Sequence, residues 1–447
     1  MKIIVMKKLI SSVIFSLLPF LFALSLAHAT NLDEIYKMAV TNDPVYRGAE
    51  QEYLGRQQLK QQQFALFLPA INLSANYTEV NQTSTTSGTD TNYEYTTKGY
   101  SLNLTQMLYR HDYFVQYKQA DLQVMQAAAK FNSAAQDLII RVAENYFQVL
   151  AAIDTLDFAR AETKAIKEQL NQTTQRFNVG LTAITDVHEA QSRYDLSIAQ
   201  TLAAENQLAI SQENLRELIS QSPDTLAKLS PQSPLLTPEP ADINQWVNIA
   251  LEQSLSLMAA EKNMLIAREE IYRNRAGHYP TLDLVASHGY TDTSSGTLTS
   301  ASKREQDDTR VGIQLNVPLY QGGLVNARTT EAAHKYNQAK EQHEQQRRIT
   351  ERLARTAYLN VIANISQVKA YQQALKSSKT ALEATDAGYE VGTRTAVEVL
   401  NSQREVFRAL RDYAQSRYNY ILETLRLKQA SGTLSENDLH TINNWLQ

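Results

Sequence analysis

The chain has 447 residues, no cysteine, and a formal charge of −4 at pH 7. Without cysteine there are no disulfides, no thiolate metal sites and no lipid-modified cysteine anchor. Glycine is scarce, 14 residues in all, about half the usual frequency, whereas Gln, Ala, Glu, Arg and Leu are abundant. That balance reads as mostly α with a small β part.

The N-terminus has the pattern of a secretory signal over residues 1–29. Lys2, Lys7 and Lys8 precede an apolar run from Leu9 to Leu26, which ends at Ala27-His28-Ala29. The alternative is an N-terminal membrane anchor, and the small-x-small ending favours cleavage before Thr30. Removing three lysines from the 43 basic residues, against 47 acidic ones, leaves the remainder at about −7. An acidic chain excludes nucleic acid as a partner, since that needs a basic face. No apolar run of about 18 residues follows the signal, so membrane attachment would have to be a β-barrel.

In chain order, residues 30–222 and 241–430 read as two copies of one unit, joined by a Pro-rich linker at 223–240 and followed by a tail at 431–447. At an offset of 212, Val179-Gly180 matches Val391-Gly392, Asp186 matches Glu398 and Gln191 matches Gln403. At 211, Pro69 matches Pro280 and Leu108-Tyr109 matches Leu319-Tyr320.

Each copy supplies two alternating strands. Ile71, Leu73, Ala75 and Tyr77 share one face, with Tyr100, Leu102 and Leu104 behind them. Leu282, Leu284 and Ala286, then Val311, Ile313, Leu315, Val317 and Leu319, repeat the pattern. This is the signature of a membrane barrel, apolar to lipid and polar to lumen, or of a soluble sheet with one wet face. The polar stretches Glu79 to Thr97 and Thr291 to Thr309 read as long outer loops, with tyrosines near the strand ends as a girdle. Four strands cannot close a barrel, and an open edge is forbidden in lipid. A membrane reading therefore requires strands shared among chains, eight in a dimer or twelve in a trimer.

Long helices follow the strands. Nothing breaks the pattern from Asp112 to Asn178, and Leu138, Val142, Tyr146, Val149, Ile153 and Leu156 form a coiled-coil-like seam. Such a helix reaches about 100 Å at ~1.5 Å per residue. Partners run over Ala183 to Ser220, Val325 to Ala387 and Ala396 to Gln429. Gly180 and Gly392 suit helix ends of positive φ, and Thr395 with Glu398 forms a capping box. No catalytic set, cofactor motif or metal spacing emerges, so an enzyme is not expected.

The runs Gln172–Leu181, Ala183–Val187, Ala387–Tyr389, Val391–Thr395, His278–Leu284, Pro318–Gly323 and Arg417–Tyr420 resemble the TolC family. The resemblance covers the whole chain after the signal. It implies four antiparallel strands per chain in a shared, trimeric twelve-stranded β-barrel, and long coiled-coil helices forming a periplasmic α-barrel. It implies a homotrimer in the outer membrane of a Gram-negative cell, extending into the periplasm and contacting outer-membrane lipid. The duct would pass drugs or secreted proteins with a periplasmic adaptor and an inner-membrane RND, ABC or MFS transporter. The resemblance also places tip gate links at Thr185, Asp186, Tyr389 and Arg394, and an entrance selectivity ring at Glu398 and Asn401. The family's ring has two aspartates there, so Asn401 halves the carboxylates. Adaptor docking falls on Val179, Gly180, Leu181, Val391, Gly392 and Thr393. Glu398 reads equally as a capping residue, and Asp186 and Arg394 taken alone as solvated tip charges. The competing functions are a periplasmic helical scaffold without a pore, and a self-sufficient diffusion porin.

Overall fold

The computed structural model describes residues 29–223, 225–295 and 303–447, so the expected signal, apart from its last residue Ala29, lies outside the described residues. The chain begins with α1 (Leu32–Asn42) and α2 (Pro44–Ala65), then β1 (Ala70–Thr86) and β2 (Thr89–Tyr109). The hairpin α3 (His111–Asn178) and α4 (Ile184–Ile219) completes the first unit. The second unit repeats the order: α5 (Ile243–Gln253), α6 (Leu255–Arg275), β3 (Thr281–Ser295), β4 (Arg304–Asn316), α7 (Leu324–Glu390) and α8 (Ala396–Ala430), with α9 (Glu436–Asn443) last.

The four strands form one antiparallel sheet in chain order, so β1 and β4 are its edges. Pro69 and Pro280 precede the first strand of each unit, where the missing N–H costs no ladder bond. The expected loop over Glu79 to Thr97 is corrected: both strands run on to a tight turn at Ser87 (φ 53°) and Gly88 (φ 78°). Two successive positive-φ residues make the turn whose twist suits a two-residue hairpin. Its threonines are polar but β-branched, and they bond across the ladder, as Thr83 Oγ1 does to Asn92 Oδ1 at 2.7 Å. On the second hairpin, β3 runs to Ser295 and β4 starts at Arg304, which shortens the other expected loop; its centre lies outside the described residues. The fourth strand also stops at Asn316 rather than Leu319, because Pro318 cannot donate to a ladder.

The ladder registers align Ile71, Leu104, Ala286 and Val311 in one row, and Leu73, Leu102, His288 and Thr309 in the next. The opposite face carries Asn72, Asn103, Ser287 and Arg310, then Ser74, Ser101, Gly289 and Asp308. One face is thus an apolar belt whose members Ile71, Leu73, Val311, Ile313 and Leu315 lie exposed on the single chain. The register of β3 on β4 is that of β1 on β2 displaced by 211 positions in each strand: Ile71↔Leu104 becomes Leu282↔Leu315.

The main hydrophobic core sits midway along the helices, around Leu138–Leu150 of α3, Val361 and Ile365 of α7, and Tyr418–Leu427 of α8. The segment after α4 and the C-terminal residues are stitched there. Lys228 N donates to the Gln447 carbonyl at 3.0 Å, and Ser230 N to the Trp445 carbonyl at 2.9 Å. Trp246 is buried, and its Nε1 donates to the Pro240 carbonyl at 2.8 Å. Among the described residues, no helix is long and apolar enough to cross a membrane.

Candidate functional site: the paired hairpin tips

Both long hairpins turn in the same way. Gly180 (φ 77°) and Gly392 (φ 79°) occupy the left-handed region that stops the outgoing helix. Leu181 N then donates to the Arg176 carbonyl, and Thr393 N to the Gly388 carbonyl, each at 2.8 Å. These bonds satisfy the last free carbonyls and leave Val179, Leu181 and Val391 exposed at the extremities. Gly180, Gly392 and Thr393 are exposed beside them.

The returning helices open differently. At α8, Thr395 N donates to Glu398 Oε2 at 2.7 Å, and Glu398 N donates to Thr395 Oγ1 at 3.3 Å, a complete capping box. Arg394 Nη1 donates to the other Glu398 oxygen, Oε1, at 2.8 Å. The Thr395 backbone bond first, then Arg394 and the Thr395 hydroxyl, hold the Glu398 carboxyl below the usual range. Glu398 is therefore a cap and half of an ion pair at once, which the sequence left open. At α4 the cap residue Ala183 has no side-chain bond, and the Thr182 hydroxyl donates instead to the Asp186 carboxylate in the first turn. Thr185 is exposed beside it, and Asn401 is half-buried three residues beyond Glu398.

The structure thus brings Arg394 to Glu398 and Asp186 to Thr182. Among the described residues, no hydrogen bond within the chain joins Tyr389 to Asp186 or Arg394 to Thr185. Tyr389 instead lies under Arg176, whose guanidinium carbon stands 4.5 Å from the ring centroid. That contact ties the ends of α3 and α7, and the sequence reading missed it because nothing in the spacing of Arg176 and Tyr389 couples them. Gly388 lies in the run Ala387–Tyr389 at the end of α7. A β-carbon there would sit 2.7 Å from Arg394 Cγ, so the glycine lets Arg394 fold back over the helix end.

Above the tips the packing thins to small clusters, such as Ile166, Ala190 and Leu400. Glu162 of α3 is buried and meets Arg411 of α8 at 3.4 Å. Burial pushes its carboxyl above the usual range, with Arg411 and Arg404 pulling the other way. On α7, burial and then Glu390 push Asp386 upward as well.

Comparison with known proteins agrees with this architecture. The family model described as "Outer membrane efflux protein" matches twice, over residues 35–221 and 246–433. The chain is 38% identical over 416 residues to outer membrane protein TolC of Vibrio cholerae, covering 93% of each. It is 37% identical over 447 residues to the protein of that name in Escherichia coli, covering 96% of this chain and 89% of that one. It is 29% identical over 426 residues to the alkaline protease secretion protein AprF of Pseudomonas aeruginosa, covering 93% and 87%. Among solved structures, the outer membrane protein VceC of Vibrio cholerae superposes with a TM-score of 0.75 at 19% identity, over 90% of this chain and 96% of that one. The fold is thus that of known outer-membrane channels, and the four strands per chain are a small part of a mostly helical molecule. The chain belongs to the outer membrane efflux protein family and is an outer-membrane exit duct.

Proposed function

We propose that three copies assemble into one channel, with a twelve-stranded barrel in the outer membrane and a helical tunnel in the periplasm. The carrying observation is the four-stranded sheet with an apolar belt on one face and two unpaired edges. An edge left open in lipid strands its N–H and C=O groups at several kcal/mol each, so neighbouring chains must supply the missing strands. The tunnel is closed at its tips by polar links between neighbouring helices, Tyr389 to Asp186 and Arg394 to Thr185. Such charge-assisted bonds contribute about 1–3 kcal/mol each. Glu398 supplies the charge of an entrance ring, and Asn401 a neutral position next to it.

The exposed apolar turns Val179-Gly180-Leu181 and Val391-Gly392-Thr393 dock a periplasmic adaptor, and an inner-membrane RND, ABC or MFS transporter supplies energy. Relatives named for protease secretion and for efflux support both cargo classes. A scaffold without a pore leaves the lipid-facing belt unexplained. A diffusion porin would conduct freely alone, whereas this duct conducts weakly until its tips loosen. The test is planar-bilayer conductance of the purified protein and of Tyr389→Phe with Arg394→Ser. Raised conductance in the double variant supports the latch, unchanged conductance rejects it, and no insertion into bilayers rejects the channel.

A further inference from the structure

A ladder of polar contacts fastens α3 to α8 on the way from the core to the turns. Gln429 Nε2 donates to Asp137 at 2.7 Å, and Arg426 to Glu144 at 2.6 Å. The Tyr418 hydroxyl donates to Asp154 at 2.6 Å, and Arg411 to Glu162 at 3.4 Å. Every acceptor is a carboxylate of α3 and every donor belongs to α8. Glu162, Ile166, Gln169 and Thr173 then form the buried stripe of α3, at steps of four, three and four. Two helical turns beyond the Glu162 rung, Gln169 comes level with Gln403 and Arg404. The α3 side chain on the stripe there is an amide rather than a carboxylate.

This rung is unfinished within the chain. Among the described residues, Gln169 Nε2, Thr173 Oγ1 and Gln403 Oε1 are buried atoms with no hydrogen-bond partner. Gln169 is 6% exposed and Thr173 0%. Other threonines of α3 turn the hydroxyl back onto the carbonyl four residues earlier, as Thr174 does to Leu170 at 2.8 Å and Thr155 to Ala151 at 2.7 Å. Thr173 does not. A buried polar atom without a partner is costly. A neighbouring copy cannot supply one to Thr173, which its own chain already covers completely.

We propose that water is held between α3 and α8 by Gln169, Thr173 and Gln403, as the last rung of this seam. The three atoms are a donor, an acceptor and a hydroxyl that serves as either, and water can answer all of them. An anion would face the Gln403 carbonyl oxygen, and a cation the Gln169 amide. Gln403 is half-buried, so the seam meets solvent at that edge, while Ile166, Ala190 and Leu400 form an apolar wall. A water bridge breaks and re-forms without leaving a charge unpaired, so this rung joins the two hairpins and still lets their ends shift.

Radiolytic hydroxyl labelling of the purified protein, read by mass spectrometry, tests for the water, because radicals made from a held molecule oxidise the side chains around it. Leu400 and Leu156 are each 5% exposed, and of the two only Leu400 borders the site. Leu400 should be oxidised several-fold faster than Leu156, and Gln169→Leu with Gln403→Leu should bring it down to the Leu156 rate. Equal rates in the parent, or a rate that stays high in the double variant, would overturn the proposal. Thr173→Val tests it by sign. Removing a hydroxyl bonded to water should lower the midpoint of urea unfolding, whereas removing one with no partner relieves the chain, so an unchanged or higher midpoint overturns the site. All three residues belong to one chain, so the outcome does not depend on the number of copies in the channel.

Discussion

The guanidinium of Arg176 lies over the ring of Tyr389, so the outgoing helices of the two hairpins touch at their ends through a cation and a π face. An exposed contact of this kind contributes about 0.5–1 kcal/mol. Arg176→Gln should therefore raise the open fraction of the purified channel about twofold to fivefold in bilayer recordings. Tyr389→Phe keeps the ring face but loses the hydroxyl, so adding Arg176→Gln to it should give a further increase of the same size. Recordings of Arg176→Gln that match the parent would show the contact is not a tie.

Glu398 caps α8 in the structure and is the proposed charge of the entrance ring, and the two roles separate by substitution. Glu398→Gln retains a side chain able to close the capping box but loses the charge and the Arg394 pair. It should reduce cation preference, read as a reversal potential in a salt gradient, with thermal stability nearly unchanged. Glu398→Ala should lose the same selectivity and also open the capping box, read as faster hydrogen exchange at the α8 terminus. Because the folded carboxyl sits below its ordinary 4.5, cation preference should survive acidification past that value.

Asp43 closes α1 and opens α2, and Arg141 of α3 grips it with two bonds of 3.0 and 2.6 Å. Burial pushes this carboxyl up, but Arg141 and the amides of Tyr46 and Val45 outweigh it, and the net shift is below 3.8. A depressed carboxyl stabilises the fold above its unfolded value and loses that contribution as pH falls through the folded one. Asp43→Asn should cost about 3 kcal/mol at neutral pH, since it leaves Arg141 unpaired. The difference from the parent should vanish in acid, as measured by urea unfolding across pH.

Glu162 has the opposite sign. Its carboxyl is raised by burial, so the folded chain holds a proton that the unfolded chain releases, and stability declines as pH rises above 4.5. Glu162→Gln should remove that decline, so its melting temperature should overtake the parent's on the neutral side. Parallel melting curves at all pH values would argue that Arg411 fully compensates the charge.

Gly99 faces a backbone wall. A β-carbon there would lie 2.4 Å from the Tyr290 carbonyl oxygen, on the seam between the two units. Gly99→Ala should push β2 from β3 at about 1–3 kcal/mol and lower the yield of assembled trimer in membranes. Gly312 has open space around it in the single chain, so Gly312→Ala serves as the milder comparison.

The long helices were legible almost to the residue, because Gly180, Gly392, Pro69 and Pro280 punctuate patterns of one period each. The hairpin of β1 and β2 was misread at Glu79 to Thr97, since polarity resembles a loop while threonine branching favours a strand. Contacts between helices distant in sequence, Arg176 with Tyr389 or Glu162 with Arg411, leave no mark in local periodicity. They depend on how two hairpins are rotated about their own axes, which tertiary packing sets.

The large core grips α3 only to about Ile153, Leu156 sits in a smaller cluster, and the last 22 residues of that helix run on to Asn178. At ~1.5 Å per residue this overhang is about 33 Å long, stiff along its axis and lightly seated at its side. A tilt of about 10° where it leaves the core would carry the turn about 6 Å sideways with no bond broken in the sheet. A sideways load on the turn would therefore act on α3 as on a lever, with its fulcrum at the edge of the core.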